Sequence, residues 1–491
     1  MATGWWLAFT PLNVFLSAAG ALTGTVVGML PGLGPINAIA ILIPVCFSVG
    51  LPPESVLILL TAVYYGSQYG NSISTILLNV PGTPSATVTA LDGYALTRKG
   101  RAASALAMSA VASFVGGMLS LVGLVLLAPL LARMAIRFGP AEYFALMVFA
   151  LSTLSGLSGG SFLKAAVATL LGLAFSTVGF DPNSAVARYT FGEIRLLDGV
   201  DFVVLTIGLF ALSEVMFALE SESDKSLDRE TRVGFVLEIH EWLSNLGTMV
   251  RGSLVGFAIG VLPGAGGTVA SFIAYATEKR LHPDGEIGRG DLRGVAAPEA
   301  ANNAAATGAM IPLLTLGVPG SGTTAVLLGA LLGLDVAPGP LFLTEHAEVF
   351  WALAASMVVG NVVLLFLNLP LVGAFASILL VPPWFLYPLV LVLSLLAAYS
   401  VNGSTFDVVL AVGFGVLGYV LRKLDFPLAP VVLGFVLGGL METSLRRAMA
   451  LSGGGWEILF SSWTAITIWG LAVVATVGAF LRGSKVDAID R

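Results

Sequence analysis

From residue 349 to residue 369 the chain carries no charged side chain, a run that as a helix is long enough to cross a hydrocarbon core of about 30 Å. Apolar runs return along the whole sequence, at 119–131, 144–154 and 469–480 among others, many inside uncharged stretches of about 20 residues. Of the 491 residues 57% are hydrophobic and 11% charged, whereas a soluble chain has roughly 25% charge to cover its surface. We therefore expect an all-α polytopic membrane protein of about 10 to 12 transmembrane helices, some of them broken.

The first ten residues hold no Lys or Arg, and no small-residue cleavage site follows a charged lead, so the first helix is expected to stay in place. Trp5 and Trp6 fit an aromatic belt at a membrane interface. The lone cysteine, Cys46, allows no intrachain disulfide and no cysteine-based metal cluster; it reads as a small packing residue. A net charge of −6 argues against nucleic acid, which needs a basic footprint. It does not argue against an anionic solute, which backbone N–H groups and hydroxyls can hold.

The chain repeats itself. Gly28-Met-Leu-Pro-Gly-Leu-Gly34 returns as Gly260-Val-Leu-Pro-Gly-Ala-Gly266, 232 residues on, and Leu78-Asn-Val-Pro-Gly-Thr83 returns as Leu316-Gly-Val-Pro-Gly-Ser321, 238 residues on. Phe180-Asp181-Pro182 stands opposite Leu424-Asp425-Phe426, so the correspondence runs through nearly both halves. We expect a first membrane repeat over 1–219, a charged connecting segment over 220–250 and a second repeat over 251–491. The second polar stretch, 279–299, reads as a solvated loop, with Glu299 close enough to Asn302 and Asn303 to dip inward. Basic Arg98-Lys99-Gly-Arg101 corresponds to acidic Glu345-His346-Ala-Glu348, and Arg422-Lys423 to an uncharged region near Val178. Opposite bias at equivalent loops predicts inverted repeats, against the weight of Arg133, Arg137, Arg446 and Arg447.

Four Pro-Gly clusters interrupt the apolar segments: Leu30-Pro-Gly-Leu-Gly-Pro35, Val80-Pro-Gly-Thr-Pro84, Leu262-Pro-Gly-Ala-Gly-Gly267 and Val318-Pro-Gly-Ser-Gly322. Proline lacks the N–H that continues a helix and glycine admits other backbone angles, so each cluster predicts a broken helix or a re-entrant hairpin. In lipid such backbone survives only buried in protein or lining a wet cavity, and paired interruptions in two halves point to a binding site. Half-helix N-termini suit a carboxylate, while freed carbonyls and Asn or Thr oxygens suit a hard cation. The candidate substrate-binding residues are therefore Gly32, Gly34, Asn79, Gly82, Thr83, Gly264, Gly266, Thr268, Gly320, Ser321, Thr323 and Thr324. Asn37, Asn71, Asn302 and Asn303 are the candidate ligands of a coupling cation.

Enzyme chemistry finds no footing. Gly317-Val-Pro-Gly-Ser-Gly322-Thr-Thr has phosphate-loop spacing, but Thr323 replaces the required lysine. His240, His282 and His346 lie far apart without metal-ligand spacing. Gly156-Leu-Ser-Gly-Gly160 has the spacing of a nucleophile elbow but no strand before it and no histidine nearby. Asp92, beside Arg98 and Lys99, reads as a membrane-surface acid rather than a proton carrier. An ion channel is the alternative from another class, although paired breaks in a duplicated scaffold favour alternating access.

The same motifs, with Ala90-Leu-Asp-Gly-Tyr94 and Ala297-Pro-Glu-Ala-Ala-Asn-Asn303 running on to Thr315-Leu-Gly-Val-Pro-Gly-Ser-Gly-Thr-Thr324, resemble the large membrane subunit of the bacterial tripartite tricarboxylate transporters, the TctA-type permeases. The likeness covers most of the chain. It implies a secondary transporter of the bacterial inner membrane that imports di- and tricarboxylates or related organic anions, driven by Na⁺ or H⁺. The partners it implies are a small four-helix membrane subunit and a periplasmic solute-binding protein.

Overall fold

The computed structural model describes residues 2–30, 33–157, 161–181, 184–220, 239–264, 266–283, 285–378 and 383–486. Gly32, Pro182, the end of the Gly156–Gly160 match and most of the charged connecting segment lie outside the described residues. The described chain is helical, apart from two-residue strands at Gly179–Phe180 and Ala187–Arg188. In the first half α1 spans Pro11–Met29, α2 Pro35–Val49, α3 Pro53–Leu78, α4 Thr87–Arg98 and α5 Ala102–Ala135. After these come α6 (Pro140–Leu157), α7 (Phe162–Ser176) and α8 (Phe202–Glu220). The second half runs through α9 (Leu246–Gly260), α10 (Gly266–Leu281), α11 (Arg293–Gly308), α12 (Gly322–Gly333) and α13 (Ala347–Asn368). It closes with α14 (Pro383–Asn402), α15 (Thr405–Lys423), α16 (Ala429–Leu451) and α17 (Trp463–Val486). Among the described residues seven helices are long and apolar enough to cross a membrane: α1, α5, α8, α13, α15, α16 and, from Phe385, α14.

α3, at 26 residues, is longer than any of these except α5 but too polar for that class. Tyr64, Ser67, Gln68, Asn71, Ser72, Ser74 and Thr75 all lie along it, and every residue from Ser55 to Leu77 but Leu59 is buried. α11 is its counterpart in the other half, with every residue from Gly294 to Gly308 buried, among them Glu299, Asn302, Asn303 and Thr307. Polar helices of this kind are stable in a membrane protein only where other helices shield them from lipid.

The shielding is built the same way twice. On α1, Gly20, Gly24 and Gly28 meet the carbonyls of Leu59, Val63 and Ser67 on α3, where an added Cβ would lie 2.5, 2.3 and 2.3 Å from the oxygens. On α9, Gly252, Gly256 and Gly260 meet the carbonyls of Ala297, Ala301 and Ala305 on α11, at 2.6, 2.2 and 2.4 Å. The glycines of the two sets stand 232 residues apart, as 20 and 252 do, and their partners 238 apart, as 59 and 297 do. Glycine at every fourth position lets two backbones touch, which is how helices associate where no hydrophobic effect drives them together.

α9 and α10 form a re-entrant hairpin. At 15 and 16 residues each is about 22 to 24 Å long, short of the core thickness. Arg251 near the start of α9 pairs with Glu278 near the end of α10 at 2.6 Å, so the chain enters and leaves on one side. α1 and α2 fold back likewise: Asn13 at the start of α1 accepts from Ser55, just after α2, at 2.6 Å.

Two pairs of helices in contact, α3 with α11 and α5 with α13, run in opposite directions. Between α3 and α11, Asn302 Nδ2 donates to Gln68 Oε1 at 2.9 Å and Ser72 donates to Glu299 at 2.5 Å, so position rises on one helix as it falls on the other. α5 and α13 meet midway at Gly117 and Asn361. Leu106 and Ser109 near the start of α5 then share a small cavity with Asn368, the last residue of α13.

Charge gathers at the two ends of the bundle. At one, Arg101 pairs with Glu241, Lys99 with Glu286, Arg422 with Glu214 and Lys423 with Glu220. At the other, Asp181, Arg188, Glu442 and Arg446 form a closed network of ion pairs at 2.6 to 3.3 Å.

Candidate transport site

Each Pro-Gly cluster ends one helix and starts another. α3 closes on Asn79 in the left-handed region (φ 57°), and the chain extends through Val80-Pro81-Gly82 to Thr83, which precedes the turn Pro84–Ala86 and then α4. In the second half Met310–Leu316 closes on Gly317 (φ 68°), and the chain extends through Val318-Pro319-Gly320 to Ser321, the N-cap of α12. Asparagine and glycine are the residues that accept this closing angle with least strain. Gly34 caps α2, and Gly264 and Gly266 turn the chain into α10 with φ of 81° and 63°.

The four breaks touch in a ring. Gly82 of the second lies against the carbonyl of Gly28, where α1 runs into the first, with 2.6 Å between that oxygen and a Cβ added at Gly82. Gly320 of the fourth is placed against the carbonyl of Gly260, where α9 runs into the third, at 3.4 Å by the same measure. Across the halves, Gly322 beside the fourth meets Ile36 beside the first, and α10 after the third packs on Pro84–Ala86 after the second. Tyr64 of α3 faces Ser321 from the other half. Four helix N-termini thus open around one region in the interior of the bundle, each with N–H groups that its own helix leaves unused.

Asn71 holds the second break in shape. Its Nδ2 donates to Thr83 Oγ1 at 2.5 Å and its Oδ1 accepts from the Thr83 N–H at 2.9 Å. Thr83 also shares a hydrogen bond of 2.8 Å with Ser85. Ser321 and Thr324 form a capping box, each side chain accepting from the other's backbone N–H, at 3.3 and 2.8 Å. Asn302 bonds Gln68 and presses on Gly267, where a Cβ would lie 2.5 Å from its Oδ1. Asn303 donates to the Glu299 carbonyl at 3.2 Å, while its Oδ1, buried, accepts no hydrogen bond. Asn37 and Thr323 are buried, Gly34 and Thr268 half-buried, and Asn79 exposed.

Glu299 stands out from the polar stretch before it. It is 1% exposed, and its carboxylate accepts from Ser72 at 2.5 Å, Thr89 at 2.7 Å and Ser113 at 3.4 Å. Lys, Arg and His form no ion pair with it among the described residues. The signal was its place four residues before Asn303 in a charge-free stretch, one turn of helix away. Asp92 is also buried, but its carboxylate is satisfied by the N–H groups of Gly288, Gly290 and Asp291 at 2.8 to 2.9 Å and by the Tyr275 hydroxyl at 2.9 Å. It fastens α4 to the loop ahead of α11.

Residues 14–433 match the family described as "Tripartite tricarboxylate transporter TctA family". Two proteins of Agrobacterium vitis are similar to this chain. The "Uncharacterized 52.8 kDa protein in TAR-I ttuC' 3'region" is 41% identical over 493 aligned positions, which take in all of this chain and 98% of the relative. The "Uncharacterized protein in TAR-II ttuC' 3'region" is 42% identical over 237 positions, 48% of this chain and 98% of the relative. No solved structure matches.

Proposed function

We propose, for a chain that belongs to the tripartite tricarboxylate transporter TctA family and is a membrane component of tricarboxylate transport, that it is the permease of a binding-protein-dependent secondary transporter. It imports a small di- or tricarboxylate or related organic anion together with Na⁺ or H⁺. The ring of four helix breaks carries this reading. Aligned helix N-termini present partial positive charge to an anion without any fixed cation, so a carboxylate is held by bonds that can be remade as the helices move.

Alternating access follows from the two halves, 1–219 and 251–491, read as inverted repeats. The opposed directions of α3 and α11 and of α5 and α13 support this, as does the glycine packing made twice at constant offsets. Two halves related in this way can exchange conformations and open the same site first to one side and then to the other. The end bearing Arg98, Lys99, Arg101, Arg422 and Lys423 faces the cytoplasm of the bacterial inner membrane, in keeping with the positive-inside bias. The binding protein delivers substrate at the opposite end, and a small membrane subunit completes the complex.

Reconstituted vesicles test the proposal. Uptake of citrate or a related carboxylate is expected to require both the binding protein and an inward Na⁺ or H⁺ gradient. Uptake at the same rate after both gradients are collapsed would overturn the coupling, and non-saturable flux without the binding protein would favour a channel.

A further inference from the structure

Glu299 lies within the bundle, and among the described residues its carboxylate accepts hydrogen bonds from hydroxyl groups alone. From α3 comes Ser72, from α4 Thr89, and from α5 Ser113, with the Ser109 hydroxyl facing it as well. Other titratable or charged groups on the surrounding helices are engaged elsewhere. Tyr69 of α3 donates to Asn361 at 3.3 Å, and Asp92 of α4 is bound to the loop at 288–291. Arg251 of α9, with Glu278 and His282 of α10, forms a separate cluster. Arg293, at the start of the same helix, pairs with Asp291 at 2.7 Å.

Ser72 and Ser109, which face this carboxylate, also line a cavity of ≈ 10 Å³ together with Tyr69 and Asn368 among others. It has room for about one water-sized particle. Asn368 is 4% exposed; its Nδ2 donates to the Leu364 carbonyl at 2.9 Å, and its Oδ1 accepts no hydrogen bond. The cavity therefore sets an amide residue whose oxygen lacks a donor against the two serines, Ser72 and Ser109, whose hydroxyls face the buried Glu299 carboxylate.

A carboxylate out of reach of water is costly unless a positive charge neutralises it. An all-oxygen set of carboxylate, hydroxyl and amide suits a hard cation. We propose that Glu299, with the hydroxyls of Ser72, Thr89, Ser109 and Ser113 and the Oδ1 of Asn368, forms the binding site of the coupling cation. This rests on the ion-coupled reading above and gives it a residue. The shared chemistry is one positive charge placed on Glu299, carried by Na⁺ or by H⁺. When the charge leaves, the bare carboxylate favours whichever conformation admits water to it, and this differential couples occupancy to the opening of the site. Ser72 and Thr89 sit on the two helices that flank the second break.

Purified full-length protein can be tested in two arms, radioactive sodium binding at fixed pH and proton uptake in weakly buffered solution without sodium. One arm is expected to give saturable uptake of about one equivalent, lost in E299Q. In the sodium arm N368A should raise the half-saturating concentration about tenfold or more, as removal of one contact to a charged group predicts. In the proton arm S72A should move the midpoint of uptake upward by about one pH unit, since its hydroxyl donates to the charged form. These two variants decide the matter should E299Q fail to fold, and wild-type behaviour in the variant of the responding arm would overturn the site. Uptake by wild type and E299Q alike would overturn the site and leave ion coupling intact; uptake by neither protein in either arm would overturn the coupling itself.

Discussion

Replacing Gly256 with alanine should destabilise the protein, whereas the same change at Gly470 should not. In an exposed stretch of helix, Gly→Ala is favourable by roughly 0.5 to 1 kcal/mol through the backbone entropy it removes. Around Gly470 on α17 nothing lies within 4 Å of an added Cβ, so this gain stands alone. At Gly256 the new Cβ would fall 2.2 Å from the Ala301 carbonyl oxygen and 2.5 Å from its Cα, both backbone atoms that no side-chain rotation can clear. α9 would have to retreat from α11 by about 1 Å, and overpacking of this kind costs about 1 to 3 kcal/mol. Its neighbours Gly252 and Gly260 are seated just as closely, so the retreat would strip contact along the whole face. The net expectation for Gly256→Ala is a loss of about 1 to 2 kcal/mol, a fall in midpoint of roughly 1 to 2 °C for a chain of 491 residues. Gly24→Ala, facing the Val63 carbonyl at 2.3 Å, should cost the same. Thermal unfolding of the purified full-length variants, followed by tryptophan fluorescence, measures all three. If Gly256→Ala melts at or above Gly470→Ala, close backbone packing does not hold the polar helices in place, and the shielding of α11 must be explained otherwise.

Two further changes probe the ring of breaks. Asn71→Ala removes the two hydrogen bonds that Asn71 makes to Thr83, and substrate affinity in vesicle uptake should fall by about tenfold or more while the protein remains folded; Ser461→Ala, at an exposed hydroxyl bonded within its own turn, should leave uptake unchanged, and equal effects at the two positions would mean that the break has no part in binding. With Cys46 replaced by alanine, spin labels on Thr83→Cys and Ser321→Cys should sit well within the roughly 30 Å of the hydrocarbon core and their distance distribution should narrow when substrate binds; labels as far apart as the two membrane faces would rule out a shared site.

The legible parts of this chain were those written in backbone chemistry. Proline and glycine carry the same meaning wherever they fall, and the sequence Val-Pro-Gly-Thr or Val-Pro-Gly-Ser predicted an interruption that the structure contains at both places. Apolar runs likewise announced the spans. The glycine stripes were partly visible, since Gly28 and Gly260 open the repeated motif, yet Gly20, Gly24, Gly252 and Gly256 take on meaning only beside the carbonyls they touch.

Glu299 was harder to see for a physical reason. Hydropathy reads a stretch as solvated when its charges are close together in sequence, and 279–299 carries Lys279, Arg280, Arg289, Arg293 and Glu299. Charge density and burial part company once a helix begins, and α11 begins at Arg293. Six residues later, at 1.5 Å a residue, the chain has advanced about 9 Å from the loop into the bundle, where a carboxylate can remain only if neighbours replace water. Those neighbours come from elements separated by as much as 227 residues in the chain: Ser72 on a helix that hydropathy passes over, Thr89 after a break, and Ser113 in an apolar span where one hydroxyl looks incidental. Each is an ordinary residue alone. What the amino-acid order could not convey is their meeting, because α3 and α11 are both too polar to be read as core, and each is made into core by its neighbours, α3 by α1 and α11 by α5 and α9.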